Sequence, residues 1–251
     1  MKPAANISLL WQELPYLDRF NAAARAGFKG VEVLFPYDEP LAETKAACAA
    51  NGLELVLINA PPRASEGQPR GFAAVPDLVD TFRKDMARAF RYAEALDARF
   101  VHVMAGNAQG DEAFDTFYSN LIWAAKSAPD GLTLTIEPLN PVAMPGYFLN
   151  DYALAERVLD AVSMDNVGLQ YDSYHAAMIH GDAIETFNAY CADIVHVQIG
   201  DSPDRGTPGS GDIDFAALFA AMAGAGYDGW ISGEYNPDPK TEDSLNWMKM
   251  L

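Results

Sequence analysis

Four aliphatic runs in this chain close on a side chain that carries an oxygen ligand. Leu132-Thr133-Leu134-Thr135-Ile136 closes on Glu137 and is stopped by Pro138, which cannot donate to a sheet ladder. The run starting at Val167 closes on Asp172, the run starting at Ile194 reaches Gln198, and Gly229-Trp230-Ile231-Ser232-Gly233 closes on Glu234. A carboxylate at the tip of a buried strand is costly unless something pairs with it. Three such acids brought to one place repel one another and are protonated or displaced unless a cation joins them. An oxygen-only donor set selects a hard divalent ion, Mg2+ or Mn2+, over a thiolate-type zinc site.

Those tips act together only if their strands end at one place. Runs of strand character fall at residues 6–10, 30–35, 53–58, 100–104, 132–137, 167–172, 194–199 and 229–234. Helical periodicity fills the intervals. Leu78, Phe82, Met86, Ala89, Phe90 and Ala93 fall on one face, and glycines such as Gly27 and Gly52 mark helix ends. Two segments are irregular, 59–75 and 200–212, and loops of that length are usually functional. Alternating strands and helices imply parallel strands with right-handed crossovers. Eight such units in 251 residues favour closure, so the expectation is an α/β chain forming one (β/α)8 TIM barrel domain over residues 1–251. In that architecture the C-terminal strand ends converge on a common mouth, which would bring Glu137, Asp172, Gln198 and Glu234 together.

Composition narrows the partners. The formal charge of −18 argues against nucleic acid and anionic membranes. An anionic substrate then needs a local cation. Cys48 and Cys191 form no CxxC or Cys/His cluster, which suits a reducing cytoplasm. There is no signal-peptide pattern after Met1 and no apolar stretch of membrane-spanning length. The chain contains no P-loop, and no GxGxxG follows the first strand, which argues against a nucleotide site.

The runs Ile136-Glu137-Pro138-Leu139-Asn140, Gln170-Tyr171-Asp172-Ser173-Tyr174-His175, His196-Val197-Gln198-Ile199-Gly200-Asp201 and Gly229 through Tyr235 resemble the hydroxypyruvate isomerase family of xylose-isomerase-like barrels. The likeness extends to Gly30-Val31-Glu32, to Phe35-Pro36-Tyr37 and to Arg205-Gly206-Thr207-Pro208-Gly209-Ser210-Gly211, and it keeps the motif order over nearly the whole chain. It implies Glu137, Asp172, Gln198 and Glu234 as ligands of a divalent metal, with Glu137 and Glu234 doubling as the acid/base pair. Related ketose 3-epimerases carry His where Gln198 stands. One departure is in the loop through Arg70-Gly71, which lacks the tryptophan the family pattern leads one to expect.

The resemblance implies interconversion of hydroxypyruvate and 2-hydroxy-3-oxopropanoate (tartronate semialdehyde) through an enediolate. The metal would act as Lewis acid on two adjacent oxygens, while an acid and a base flank the two carbons. By likeness to the sugar epimerases, His175 touches a substrate oxygen. Arg205 offers the bidentate fork that a carboxylate substrate needs, and Arg70 is a second candidate. Glu32 faces the same mouth and is expected to orient a neighbour. His102 and His196 lie within strands and read as satisfied core or supporting histidines. Trp11, Phe35, Tyr37 and Tyr235 sit near strand ends, where they could wall a pocket, with core packing the default for any aromatic. Alternatives on the same barrel are 2-oxo-tetronate isomerisation and ketose 3-epimerisation. A third class comprises a non-catalytic sugar-acid binding protein or a metal-dependent lyase-like or endonuclease-like barrel, of which the endonuclease would want more histidines and a basic face. Homo-oligomers are the family's habit.

Overall fold

The computed structural model describes residues 1–61 and 71–251. Arg70, and the part of the first irregular segment around it, lie outside the described residues. Eight parallel strands close in sequence order into one barrel, β1 to β8. They are β1 Lys2–Asn6, β2 Gly30–Val33, β3 Glu54–Asn59, β4 Phe100–His102, β5 Thr133–Ile136, β6 Val167–Asp172, β7 Ile194–Ile199 and β8 Trp230–Gly233. The helices are α1 Tyr16–Arg25, α2 Leu41–Asn51, α3 Val79–Leu96, α4 Gly110–Ser127, α5 Tyr152–Val162, α6 Ser173–His180, α7 Ala183–Tyr190 and α8 Phe215–Gly224. This is the expected (β/α)8 barrel. None of these helices is long and apolar enough to cross a membrane.

Three local expectations are corrected. The first strand is Lys2–Asn6 rather than residues 6–10, because its place is set by pairing with β2 and β8 on either side. The helix expected after β6 is two, α6 and α7, broken at Gly181, whose φ of 80° ends the first. After β8 the chain makes two 3-10 turns, Thr241–Ser244 and Asn246–Met250, in place of an α-helix.

The period-two alternation of the strands sorts side chains between two environments. On β5, Leu134 and Ile136 are fully buried on the face toward the helices, each stabilising the fold by roughly 1.5–3 kcal/mol. Thr135 and Glu137 point the other way, into the barrel. A separate apolar cluster of Ala4, Val56, Leu57, Phe100 and Trp230 plugs the barrel interior. Gly30 makes room for it: a Cβ there would lie 2.5 Å from Val56 Cγ2 and 2.8 Å from Trp230 Cζ3. Two residues further along the same faces, toward the C-terminal ends, the interior turns polar. Leu57 is followed by Asn59, Phe100 by His102, and Trp230 by Ser232 and then Glu234.

Candidate active site

A cavity of about 240 Å3 opens at the C-terminal end of the barrel. Its polar wall is Asn59, His102, Glu137, His175, Arg205 and Glu234, and Leu34, Met104, Leu139 and Met144 form an apolar rim. Asp172 and Gln198 lie immediately behind this wall, both fully buried.

The central feature is Arg205. Its Nη2 donates to Asp172 Oδ2 at 2.9 Å and pairs with Glu234 Oε2 at 3.1 Å, and its Nε donates to the Glu234 backbone oxygen at 3.1 Å. The guanidinium therefore supplies part of the positive charge that three converging acids require, and its partners are Asp172 and Glu234 rather than the neighbouring Asp201 or Asp204. Asp201 has another task. Its carboxylate accepts from the backbone N–H groups of Ser202, Gly209, Gly211 and Ile213. A Cβ on Gly211 would fall 2.0 Å from the Ser202 oxygen. The second irregular segment is thus a tightly bonded loop that aims Arg205 back over the mouth, with Arg205 at φ 53°.

Below the mouth a chain of hydrogen bonds links five strands, β5, β6, β7, β2 and β1. Thr135 Oγ1 donates to Gln170 Oε1 at 2.7 Å. Gln170 Nε2 donates to Glu137 Oε2 at 2.9 Å and to Gln198 Oε1 at 2.7 Å. Gln198 Nε2 donates to Glu32 Oε2 at 2.8 Å, which also accepts from Asn6 Nδ2 at 3.2 Å. Glu32 Oε1 meets His196 Nε2. Glu32 is therefore placed behind Gln198, fixing which end of that amide faces which way, and not on the cavity wall. Sequence reasoning missed Gln170 and Thr135. Each lies two residues before an expected site acid on the same strand face, and that spacing is the signal that could have found them.

Burial dominates the protonation of the acids. It pushes the Glu137 carboxyl well above the usual range, and Asp172 and Glu234 push the same way against Arg205. Glu234 is pushed up to about 8, by burial first, with Arg205 pulling down and Asp172 pushing up. Asp172 is raised by burial, opposed by Arg205 and by backbone N–H donors at the start of α6. For Arg205, burial works against the charge, but Glu234, Asp172 and Glu137 outweigh it and hold the group protonated. His102 is pushed down to about 3 by burial, with His196 adding to the effect, so its ring is neutral. His175 falls well below its usual value through burial and the nearby Arg205.

Glu137, Asp172 and His175 each bring one potential ligand atom within 4.8 Å of the others, all buried, and form a possible metal-binding group. His175 Nδ1 accepts from the Asn140 backbone N–H at 2.9 Å, and Nε2 lies 3.5 Å from Arg205 Nη1. Glu137 Oε1 is buried without a hydrogen-bond partner among the described residues.

His102 is not a satisfied core histidine. Among the described residues neither ring nitrogen has a hydrogen-bond partner, although Nδ1 lies 3.5 Å from Glu137 Oε2. Trp11, Phe35, Tyr37 and Tyr235 do not line this cavity among the described residues. Trp11 is turned into the core against Phe28, its indole N–H donating to Glu242 at 2.8 Å. The Tyr37 hydroxyl donates to the Asn59 backbone oxygen, bracing the end of β3.

Comparisons with known proteins agree with this geometry. Residues 20–251 match the family model for the xylose isomerase-like TIM barrel. The chain is 41% identical to the 2-oxo-tetronate isomerase of Cupriavidus necator, over 98% of this chain and 96% of that protein. It is 36% identical to the hydroxypyruvate isomerase of Escherichia coli, over 98% and 97%. A crystal structure from Brucella melitensis, named as an AP endonuclease of family 2, superposes with a TM-score of 0.94 at 39% identity, covering 99% of this chain and 98% of that one.

Proposed function

This chain belongs to the xylose isomerase-like TIM barrel family and is an enzyme of the isomerase class, and from that premise we propose that it moves a carbonyl between neighbouring carbons of a small hydroxy-oxo acid. The substrate class is that of hydroxypyruvate and the 2-oxo-tetronates, the acids named in its relatives. One observation carries the reading. Glu137 and Glu234, from β5 and β8, border the same cavity, both buried and both holding protons more tightly than a free carboxyl.

A paired set of carboxyl groups with raised affinity for protons suits transfer to and from carbon near neutral pH. One carboxylate takes the proton from the hydroxyl-bearing carbon, and the other carboxylic acid gives a proton to the former carbonyl carbon. The hydroxyl proton moves to the former carbonyl oxygen, so atoms and electrons balance without an oxidant. Arg205 holds Glu234 in place through both its backbone oxygen and its carboxylate, and it offers positive charge to an anionic substrate.

The residues present fit a divalent metal. Among the described residues, three carboxylates face one guanidinium, and Glu137 Oε1 is buried with no hydrogen-bond partner. Glu137, Asp172, Gln198 and Glu234 would hold the ion, Mg2+ or Mn2+ by the chemistry of oxygen donors. When bound, it supplies Lewis-acid stabilisation to the negative charge developing on the substrate's two adjacent oxygens. His175 stays outside this set. Its Nδ1 accepts from the Asn140 backbone N–H, which turns Nε2 toward the cavity beside Arg205 Nη1.

An endonuclease role, raised by the name of the Brucella structure, is opposed by the charge of −18 and by a cavity of about 240 Å3, sized for a small acid. Incubation with each acid and Mg2+ or Mn2+ in heavy water, followed by NMR, tests the proposal. Net isomerisation with one solvent-derived hydrogen at carbon is expected, and absence of both turnover and exchange contradicts it.

A further inference from the structure

Asn59 and His102 are direct cross-strand partners at the C-terminal ends of β3 and β4. Both line the cavity, at 6% and 1% exposure. Among the described residues, Asn59 Oδ1 and both ring nitrogens of His102 have no hydrogen-bond partner. Buried polar atoms in folded proteins are nearly always paired, so three orphans side by side on one cavity wall call for a ligand that pairs them.

The pair has a definite chemistry. A carboxamide oxygen accepts, and an imidazole keeps at least one N–H donor. The Asn59 oxygen only accepts and would repel a carboxylate, so the pair is matched to a hydroxyl, which both donates and accepts. Among the described residues the cation of the mouth is Arg205, which follows β7, across the barrel from β3 and β4. Glu137 stands between the two regions, its Oε2 3.5 Å from His102 Nδ1.

From this arrangement we infer that Asn59 and His102 form a hydroxyl subsite that selects acids carrying one hydroxyl-bearing carbon beyond the reacting pair, so the preferred substrate is a four-carbon 2-oxo-3,4-dihydroxy acid rather than three-carbon hydroxypyruvate. The inference rests on the sugar-acid reading only for which end of the substrate is the carboxylate, which lies toward Arg205 while the terminal hydroxyl lies toward Asn59 and His102. A site built to bond a hydroxyl discriminates against the analogue lacking it, because its own buried groups are then left unpaired.

Binding of acids that cannot isomerise tests this apart from catalysis. Calorimetry with Mg2+ present compares glycerate with erythronate and threonate. The better four-carbon acid is expected to bind about tenfold tighter or more than glycerate. In Asn59→Leu and His102→Phe, tested separately, that ratio should fall toward one. The ratio is taken within one protein, so partial unfolding of a variant lowers both arms alike, and the wild-type ratio stands without any variant. Equal affinity for three- and four-carbon acids, a ratio unchanged in both variants, or no binding by any of the three overturns the subsite. Loss of turnover with intact four-carbon preference would instead count against the isomerase reading alone.

Discussion

Arg205 grips Glu234 at two points, its Nε donating to the backbone oxygen and its Nη2 pairing with Oε2, each at 3.1 Å. The loop after β7 is thereby stitched to the end of β8, so the position of one acid depends on the shape of another strand's loop. The same guanidinium holds Asp172 at 2.9 Å.

Removing this cation leaves two buried carboxylates unpaired. Arg205→Ala should destabilise the protein by about 3 kcal/mol in urea unfolding at neutral pH. Arg205→Lys should recover part of that stability, since a point charge remains. It should recover little turnover, because an ammonium cannot serve the Glu234 backbone oxygen, its carboxylate and Asp172 in one planar fork. Full recovery of turnover by Lys would show that geometry at this position is unimportant.

His102 makes stability depend on acid. Its pKa is about 3 in the fold and 6.5 as a free group. Between those values the unfolded chain holds a proton that the folded chain does not, so stability rises with pH. The contribution is present above about 6.5 and is lost as pH falls toward 3, by ~1.4 kcal/mol per pH unit. Chemical unfolding at pH 7.5 and pH 5 should show wild type losing roughly 2 kcal/mol more than His102→Phe. Equal losses would place the proton balance elsewhere.

Glu32 acts through Gln198. Glu32→Gln replaces an acceptor with an amide that can present either end, so the Gln198 amide is no longer held in one orientation. Removing a partner that orients a metal ligand typically costs 10–100-fold in affinity. Calorimetric titration with Mn2+ should show a drop of about tenfold or more, and unchanged affinity would leave Glu32 with a packing role only.

Chelation followed by dialysis should abolish turnover, and Mg2+ or Mn2+ should restore it. Added metal should also raise the melting temperature, since a ligand at about 100 times its Kd contributes about 2.7 kcal/mol. A chelated protein that keeps full activity would remove the ion from the mechanism.

The strand tips were legible because a period-two run stopped by proline or glycine places its last residue. Glu137 before Pro138 is the clearest case. Eight such runs alternating with helical periodicity implied the barrel. β1 was misplaced because Lys-Pro-Ala-Ala-Asn lacks branched apolar residues and becomes a strand only by lying between β2 and β8. Arg205 was visible as a candidate, but its pairing with Asp172 and Glu234 depends on the Asp201-centred loop, whose path no local pattern encodes. Asn59 was hidden within an irregular segment. The plug residues Leu57 and Phe100, each two positions earlier, show that it and His102 face the barrel interior.

The central claim is that Glu137 and Glu234 are the two groups that exchange hydrogen with substrate carbon. It is tested most directly by NMR of substrate deuterium uptake in heavy water with Glu137→Gln and Glu234→Gln, each with metal present. Each single variant should fail to turn over the acid, and at least one should lose deuterium uptake altogether, because a Gln can neither take nor give the proton. Solvent exchange at the wild-type rate in both variants would contradict the account.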